Sequence, residues 1–332
     1  MRTQRNWRGY DEHVFESRHL KLNDLQEEAR DLKNIYLPND FDNACPRPEF
    51  HLSHLQHDTD RDGLRGIWRD DGFKNTHGGS LVWWSLAVGP DDITSAERRL
   101  LETTYPDRTE EQVQMQQSFL GKFATSPAFS ERSRLGSYRF TFPLEEVLEA
   151  YSQQFCSGAQ PVMRVFKTIL YKQKVMYVVL VHSPVSDELL SDRPLLTDDP
   201  NSVCSYRDGC FTWRPLSMCG THNYRLVRRP GERRMEVEEV APRLRYCVWD
   251  QVAVALHVDR QVLNFDSARL RQNLKYCSRA YPSITPHYKF DDFPDAEQIV
   301  QILWPNCPSR LERAEQPDTE PGTQHDGTFM EH

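Results

Sequence analysis

Two consecutive runs of β-branched and aromatic residues constrain the fold of this chain more than any other feature. They span residues 162–171 and 174–182, and only Lys172 and Gln173 separate them. Residues of these types favour strands, and so short a connection joins antiparallel neighbours. The chain is therefore predicted to fold around a β-sheet that contains this hairpin.

Helices are predicted between further strands, which makes the expected fold class α+β. Threonine caps and early glutamates predict two helices, and Pro143 is predicted as the first helical residue of a third. We expect a mixed or antiparallel sheet core with peripheral helices. The predicted strands are 81–88, 137–142, 209–214, 222–228, 235–240 and 246–258, and the predicted helices are 94–104, 109–123, one starting at Pro143, and 296–304.

Polar and proline-containing segments divide the chain into three predicted parts. Residues 1–45 form a polar N-terminal segment with one amphipathic helix, and residues 46–307 form the α+β core, with a candidate sub-boundary near residues 183–201. Residues 308–332 are charged and nearly free of aliphatic side chains, so a disordered tail is predicted. The sequence leaves open whether residues 200–307 complete the first sheet or form another domain.

Charge and hydrophobicity argue against several classes of protein. The net charge of −8 disfavours sequence-independent nucleic-acid binding, although residues 225–234 form a candidate basic patch. The longest apolar run, residues 175–181, is far shorter than the roughly 20 residues of a membrane helix. Eight cysteines without a secretory signal indicate reduced thiols. We expect a soluble protein of the cytoplasm or nucleus, with no membrane partner.

A histidine and a hydroxyl residue followed by a helix are typical of a nucleotide pocket. His51 and Ser53 end a predicted short strand, and residues 62–71 form an amphipathic helix with Gly72 as its predicted left-handed cap. In such a pocket His51 donates to a ribose hydroxyl and Ser53 lies beside a nicotinamide amide. The residues alone favour the alternative, a histidine that fills a loop and a helix that only packs.

These residues resemble the start of the ADP-ribosyltransferase fold, especially its DarT-like and RNA 2′-phosphotransferase branches. Those families open with a histidine, a hydroxyl residue two positions later and a glycine-closed helix, and residues 51–54 and 63–73 have this order. Residues 245–251 resemble a late strand of the poly(ADP-ribose) polymerase branch. The resemblance implies NAD as a substrate, bound between two sheets, with a glutamate that favours an oxocarbenium-like transition state at the ribose.

The resemblance also implies roles for individual residues. His51 and Ser53 would orient the nicotinamide half of NAD, and Tyr138 would stack on its ring. Arg245 stands where the family has its glutamate, and an arginine has no acceptor. The nearest candidate catalytic carboxylates are therefore Glu238 and Glu239, just upstream.

Two functions remain open at this stage. The first is an enzyme, a glycosyltransferase of the ADP-ribosyltransferase type that binds NAD or ADP-ribose and performs mono-ADP-ribosyl transfer. The second is a non-catalytic intracellular interaction or regulatory protein that keeps the fold and engages a protein partner through its charged ends. Arg245 favours the second function, because it replaces the expected glutamate.

Three cysteines and a histidine have the residue types of a structural zinc site. Cys204, Cys210, Cys219 and His222 would supply four ligands to a tetrahedral zinc ion. The first interval is wider than in a usual zinc knuckle, and aromatic residues lie between the ligands. We favour buried reduced cysteines in a sheet, so no metal site is predicted.

Overall fold

The computed structural model describes residues 1–5, 9, 11–28, 30–31, 45–75, 79–171, 174–197, 202–215, 221–244, 251–280, 289–307 and 309–314. The strands are β1 (Arg2–Arg5), β2 (Asp11–Glu16), β3 (Phe50–Leu52), β4 (His54–Thr59), β5 (Gly72–Phe73), β6 (Leu81–Ala87), β7 (Tyr138–Pro143), β8 (Val162–Tyr171), β9 (Lys174–His182), β10 (Cys204–Arg207), β11 (Cys210–Trp213), β12 (Thr221–Arg229), β13 (Arg234–Leu244), β14 (Gln251–His257), β15 (Leu263–Asn264), β16 (Leu274–Tyr276) and β17 (Glu312–Arg313). The helices are α1 (Leu22–Glu28), α2 (Arg61–Asp70), α3 (Pro90–Thr104), α4 (Glu110–Gln114), α5 (Leu144–Phe155), α6 (Ser267–Gln272) and α7 (Phe293–Leu303).

A ten-stranded mixed sheet organises the molecule. Its order is β1-β2-β8-β9-β14-β6-β4-β7-β16-β17. β14 runs parallel to β9 and β16 runs parallel to β17, whereas the other recorded pairs in this sheet are antiparallel. Smaller sheets accompany it, namely β10-β11-β3, β12-β13 and β15-β5. The α+β class and the mixed sheet are confirmed.

The main core lies on one face of the large sheet. Along β6 the side chains of Val82, Trp84 and Leu86 are buried, whereas the alternate residue Trp83 is 37% exposed. This alternation is the expected period of a strand with one covered face. Helices α2 and α5 contact β4, and α5 also contacts β7, so these helices help to cover the core. Aromatic rings fill its centre, with Phe73 contacting Trp84, Phe140, Phe142 and Phe265.

The predicted hairpin is confirmed as β8 and β9, and the strand predicted at 81–88 is confirmed as β6. The helix predicted over 109–123 is wrong beyond Gln114. The carboxylate of Glu97 accepts hydrogen bonds from the backbone N–H groups of Phe119 and Leu120, at 2.8 and 2.6 Å. A helix would need the same N–H groups for its own carbonyls. Residues 120–123 instead form a short 3-10 helix.

Two predicted helix ends are also corrected. Asp71, not Gly72, adopts the left-handed conformation after α2, with φ 48°. Gly72 belongs to β5, where a Cβ would lie 2.2 Å from the carbonyl oxygen of Leu263, so close approach of the two strands requires the glycine. Pro143 is the N-cap of α5 and the last residue of β7, not the first helical residue. No helix in the described ranges is long and apolar enough to span a membrane.

The predicted boundaries at residues 46 and 183–201 do not divide the sheet. β2 pairs with β8, so the N-terminal segment contributes strands to the large sheet. β14 pairs with both β9 and β6, so residues after 201 complete that same sheet. β17 joins it beyond residue 307. Residues 308 and 315–332 of the predicted tail lie outside the described residues.

A buried ion pair joins β4 to β7. Arg139 donates from Nε and Nη2 to the two carboxylate oxygens of Asp58, at 2.7 and 2.9 Å. The two side chains are only 5% and 12% exposed. Arg139 also donates to the carbonyl oxygens of Ser130 and Arg132, which ties the preceding loop to the sheet.

Arg139→Met is expected to lower the free energy of unfolding by about 3–5 kcal/mol, because it leaves the Asp58 carboxylate buried without its partner. Urea denaturation of the two proteins measures this. The matched control is Arg225→Met, which breaks an exposed pair with Glu238 whose side chains are 52% and 36% exposed. That variant is expected to lose less than about 1 kcal/mol. An equal loss of unfolding free energy in the two variants would contradict the conclusion that the buried pair of Arg139 and Asp58 stabilises the fold.

Candidate functional site

The strand that leads into α2 is β4, and it ends in a histidine and a hydroxyl residue. β3 ends at Leu52 and belongs to the three-stranded sheet, whereas β4 lies in the large sheet. The last residues of β4 are His57, Asp58 and Thr59, and Asp60 follows as the N-cap of α2. In the folded chain, His57 and Thr59 are the histidine and the hydroxyl residue that end a strand directly before a helix. They lie six positions after the predicted His51 and Ser53.

Glycine residues enclose Thr59 at this junction. Asp60 accepts a hydrogen bond from the N–H of Gly63 at 3.0 Å, which caps α2. A Cβ on Gly63 would lie 1.9 Å from Oγ1 of Thr59. Gly136 has φ +142°, and its Cβ would lie 2.2 Å from the carbonyl oxygen of Thr59. Both glycines are needed so that Thr59 occupies this position.

His57 presents one free ring nitrogen. Its Nδ1 lies 2.8 Å from the carbonyl oxygen of Trp83, and a carbonyl only accepts, so Nδ1 carries the proton. Burial lowers the pKa of His57 below 6.5, although the Trp83 carbonyl and Asp58 act in the opposite direction. The ring packs edge-on against Phe73 and Trp84. Nε2 has no protein partner within the described ranges, so a neutral His57 offers it as an acceptor.

Arg61 and Tyr138 meet at Asp291 beside the start of α2. Arg61 donates to both oxygens of Asp291, at 2.6 and 3.2 Å, and the hydroxyl of Tyr138 donates to one of them at 2.6 Å. Tyr138 is fully buried. Burial and then the hydrogen bond to Asp291 raise the pKa of Tyr138. The ring of Tyr138 is thus enclosed and its hydroxyl is anchored to Asp291, and the stacking of Tyr138 on a ligand ring stays a prediction.

His51 and Ser53 lie in a different environment from the one predicted for them. His51 Nε2 lies 2.9 Å from Glu49, whose other oxygen accepts from Arg214 at 2.6 Å. Burial acts to raise the pKa of Glu49, but the hydrogen bonds from His51 and Arg214 hold it below its ordinary value. The hydroxyl of Ser53 lies 2.8 Å from Nδ1 of His54. His51 is thus part of a surface ionic cluster on the small sheet.

Glu238 and Glu239 lie on the two-stranded sheet β12-β13, which is separate from the sheets of His51 and His57. Glu238 accepts from Arg225 at 3.0 and 2.6 Å, and Glu239 stands opposite Tyr224. The candidate basic patch at 225–234 faces glutamates of β13 in this way, with Arg229 and Arg234 both contacting Glu236. Arg245 lies outside the described residues.

Three carboxylates beside the junction have hydrogen-bond partners. Asp58 is bound by Arg139, Asp291 is bound by Arg61 and Tyr138, and Asp60 accepts from the N–H of Gly63. The junction therefore offers an acceptor nitrogen and a hydroxyl, which suit a ligand rich in hydroxyl and amide groups. Nothing in the chain's local pattern points to Asp291, which is 230 residues from Arg61.

The candidate zinc ligands are only partly described. Cys204 is fully buried, and burial raises the pKa of its thiol well above the ordinary value. Cys210 lies on the adjacent strand. Cys219 and the side chain of His222 lie outside the described residues. Among the residues that are described, no group of three histidine, cysteine or acidic side chains has the arrangement of a metal site.

Comparison with known proteins returned no relative: no family model, no curated protein and no solved structure matches the chain. The ADP-ribosyltransferase-like character of the fold therefore stays a prediction.

Gly63→Ala is expected to destabilise the protein, because its methyl group would meet Oγ1 of Thr59 and force that side chain to rotate. Gly66→Ala is the matched control on the same helix, since no atom lies within 4 Å of its Cβ position. That variant is expected to gain about 0.5–1 kcal/mol from the helix propensity of alanine. Denaturation curves measure both effects, and an equal gain in both variants would disprove the close contact at Thr59.

The pKa of His57 is expected below 6.5 in an NMR titration, because burial favours the neutral ring. The unfolded chain then binds a proton more readily than the folded one. The contribution of His57 to the free energy of unfolding is therefore constant above pH 6.5. It falls as the pH drops through 6.5 toward the folded-state pKa. His182 has a pKa shifted in the same direction, so the test compares wild type with His57→Gln. If the pH dependence of the unfolding free energy is unchanged in His57→Gln, the lowered pKa does not belong to His57.

Proposed function

We propose that the protein binds NAD or ADP-ribose at the junction of β4 and α2. The observation that carries this proposal is the placement of His57 and Thr59 at the end of the strand that leads directly into α2. A histidine, a hydroxyl residue two positions later and a following helix are the features on which the resemblance to ADP-ribosyltransferases rests. In the folded chain His57 and Thr59 have this order, and His51 and Ser53 do not.

The chemistry of the two side chains fits the nicotinamide riboside half of such a ligand. With its Nδ1 proton committed to the carbonyl of Trp83, His57 accepts at Nε2 from a ribose hydroxyl. Thr59 provides a hydroxyl that both donates and accepts, as a carboxamide requires. The lowered pKa of His57 keeps Nε2 unprotonated at neutral pH.

Transfer of ADP-ribose is a further step in this proposal, with NAD as the substrate. That step requires a carboxylate near the ribose, which stabilises positive charge at the anomeric carbon. Three candidate carboxylates each form an ion pair with an arginine. The pairs are Asp58 with Arg139, Asp291 with Arg61, and Glu238 with Arg225. This pairing favours a second candidate function, a non-catalytic interaction or regulatory protein that binds the nucleotide without turning it over.

Calorimetric titration with ADP-ribose and NAD is expected to show binding by the wild-type protein. His57→Ala and Thr59→Val are expected to weaken it by about five- to tenfold each, the effect of one lost hydrogen bond. His51→Ala is the matched control and is expected to keep the wild-type affinity, because His51 contacts Glu49 on another sheet. Absence of binding by wild type would refute the proposal. If only His51→Ala loses binding, the ligand binds at His51 and not at His57.

Incubation with NAD separates the two candidate functions. Release of nicotinamide together with modification of the protein supports the transferase. Binding of ADP-ribose without any release of nicotinamide supports the non-catalytic function. His57→Ala provides the background in both assays, because it lacks the proposed acceptor nitrogen.

A further inference from the structure

A cavity of about 680 Å³ lies between α6, the end of α7 and the chain segment that follows α7. None of its lining residues belongs to β4 or α2. Arg271 of α6 and Trp304, the C-cap of α7, are on its wall, together with Cys307 and Arg310. The features of this cavity are therefore independent of the proposed nucleotide site.

Arg271 is a buried cation without a buried anion. Three arginines are buried among the described residues, namely Arg139, Arg164 and Arg271, and Arg271 is 5% exposed. The first two pair with Asp58 and Asp187, respectively. Arg271 instead donates to the carbonyl oxygen of Ser309 and has no carboxylate partner in the described part of the chain.

An unpaired buried charge is costly, whereas an arginine that meets a carboxylate or phosphate forms strong, often bidentate hydrogen bonds. Within the same helix, Arg269 shows the ordinary arrangement, with its guanidinium on Glu146. The remaining donors of Arg271 have no such partner in the described residues. An anion bound in the cavity would supply the missing partner.

The rest of the lining favours an anion that also carries an apolar group. Trp304 is 7% exposed, and its indole N–H donates to Ser267, which fixes the ring. Leu274 and Leu303 line the same cavity. The one carboxylate in the lining, Glu312, is 74% exposed and lies 3.5 Å from Lys275. The lining therefore contains two arginines, Arg271 and Arg310, and one glutamate, which is paired with Lys275.

We propose that this cavity binds a small organic anion, whose phosphate or carboxylate group pairs with Arg271 and whose apolar part packs against Trp304. The shared chemistry is a charged oxygen group attached to an aromatic or aliphatic body. Phosphate and carboxylate ligands differ in charge and shape, so binding of one ligand type can be distinguished from binding of the other.

Cys307 is a built-in reporter for this cavity. Its Sγ lies 3.1 Å from the hydroxyl oxygen of Ser309. Hydrogen bonds from Ser309 lower the pKa of the Cys307 thiol, burial opposes them, and the charge of Arg271 adds to the lowering. A larger thiolate fraction makes the thiol more reactive toward alkylating agents. A ligand beside Arg271 is expected to cover this sulfur and slow its alkylation.

The test follows alkylation of Cys307 by iodoacetamide in the full-length protein, with peptide mass spectrometry as the readout. The probes are phenyl phosphate, benzoate, inorganic phosphate and the neutral benzyl alcohol. Phenyl phosphate or benzoate is expected to slow alkylation about tenfold at about ten times its dissociation constant, since only the free fraction reacts. Benzyl alcohol is expected to give no protection. Cys210, which does not line the cavity, is the internal control.

Each result has a defined meaning. Protection by phenyl phosphate alone identifies a phosphate ligand, and protection by benzoate alone identifies a carboxylate. Weaker protection by inorganic phosphate than by phenyl phosphate supports the contact with Trp304. Failure of all three anions to protect Cys307 in the wild-type protein overturns the proposal, and so does equal protection by benzyl alcohol.

Arg271→Gln tests the central residue, because glutamine keeps a donor for the Ser309 carbonyl and removes the charge. It is expected to weaken binding of the protecting anion by about ten- to a hundredfold, the effect of a lost hydrogen bond to a charged group. Arg269→Gln is the control on the same helix and is expected to retain protection. Undiminished protection in Arg271→Gln contradicts the proposal. If Arg271→Gln fails to fold, the wild-type comparison of anions with benzyl alcohol still decides the question.

Discussion

The buried strand β14 connects the two halves of the large sheet. Residues 252–256 of this strand are at most 5% exposed, and they pair with β9 on one edge and β6 on the other. A buried strand has to satisfy its backbone groups on both edges. β14 therefore joins β1, β2, β8 and β9 to β6, β4, β7, β16 and β17. As a result β4 lies in the interior of a continuous sheet rather than in a separate domain.

This position of β4 also orients the proposed site. β4 is held between β6 and β7, and the buried pair of Asp58 with Arg139 secures it to β7. Because side chains alternate along a strand, fixing Asp58 on one face directs His57 and Thr59 to the opposite face. There His57 meets Phe73 and Trp84 of the main core, and the same packing that stabilises the sheet lowers its pKa.

Arginine pairing distinguishes the two proposed sites. Around β4 the carboxylates of Asp58 and Asp291 are paired with Arg139 and Arg61, respectively. In the cavity beside α7 the arrangement is reversed, since Arg271 is buried and has no carboxylate partner among the described residues. The carboxylates near β4 already have cations, whereas Arg271 is a buried cation that an anionic ligand would pair with. The two sites therefore suit different ligands, and the two proposals can be tested separately.

The α+β class, the hairpin of β8 and β9 and the strand β6 could be predicted from the sequence, because they depend on composition and periodicity within short segments. Which histidine lies on the strand that leads into α2 depends on how the strands pair in the folded chain. His51-Leu52-Ser53 and His57-Asp58-Thr59 are equivalent as local patterns, but β3 pairs with β11 and β4 pairs with β6 and β7. The capture of backbone N–H groups by Glu97 and the contact of Arg61 with Asp291 likewise join residues far apart in the chain. Such contacts have no local period, which is why only the folded chain reveals them.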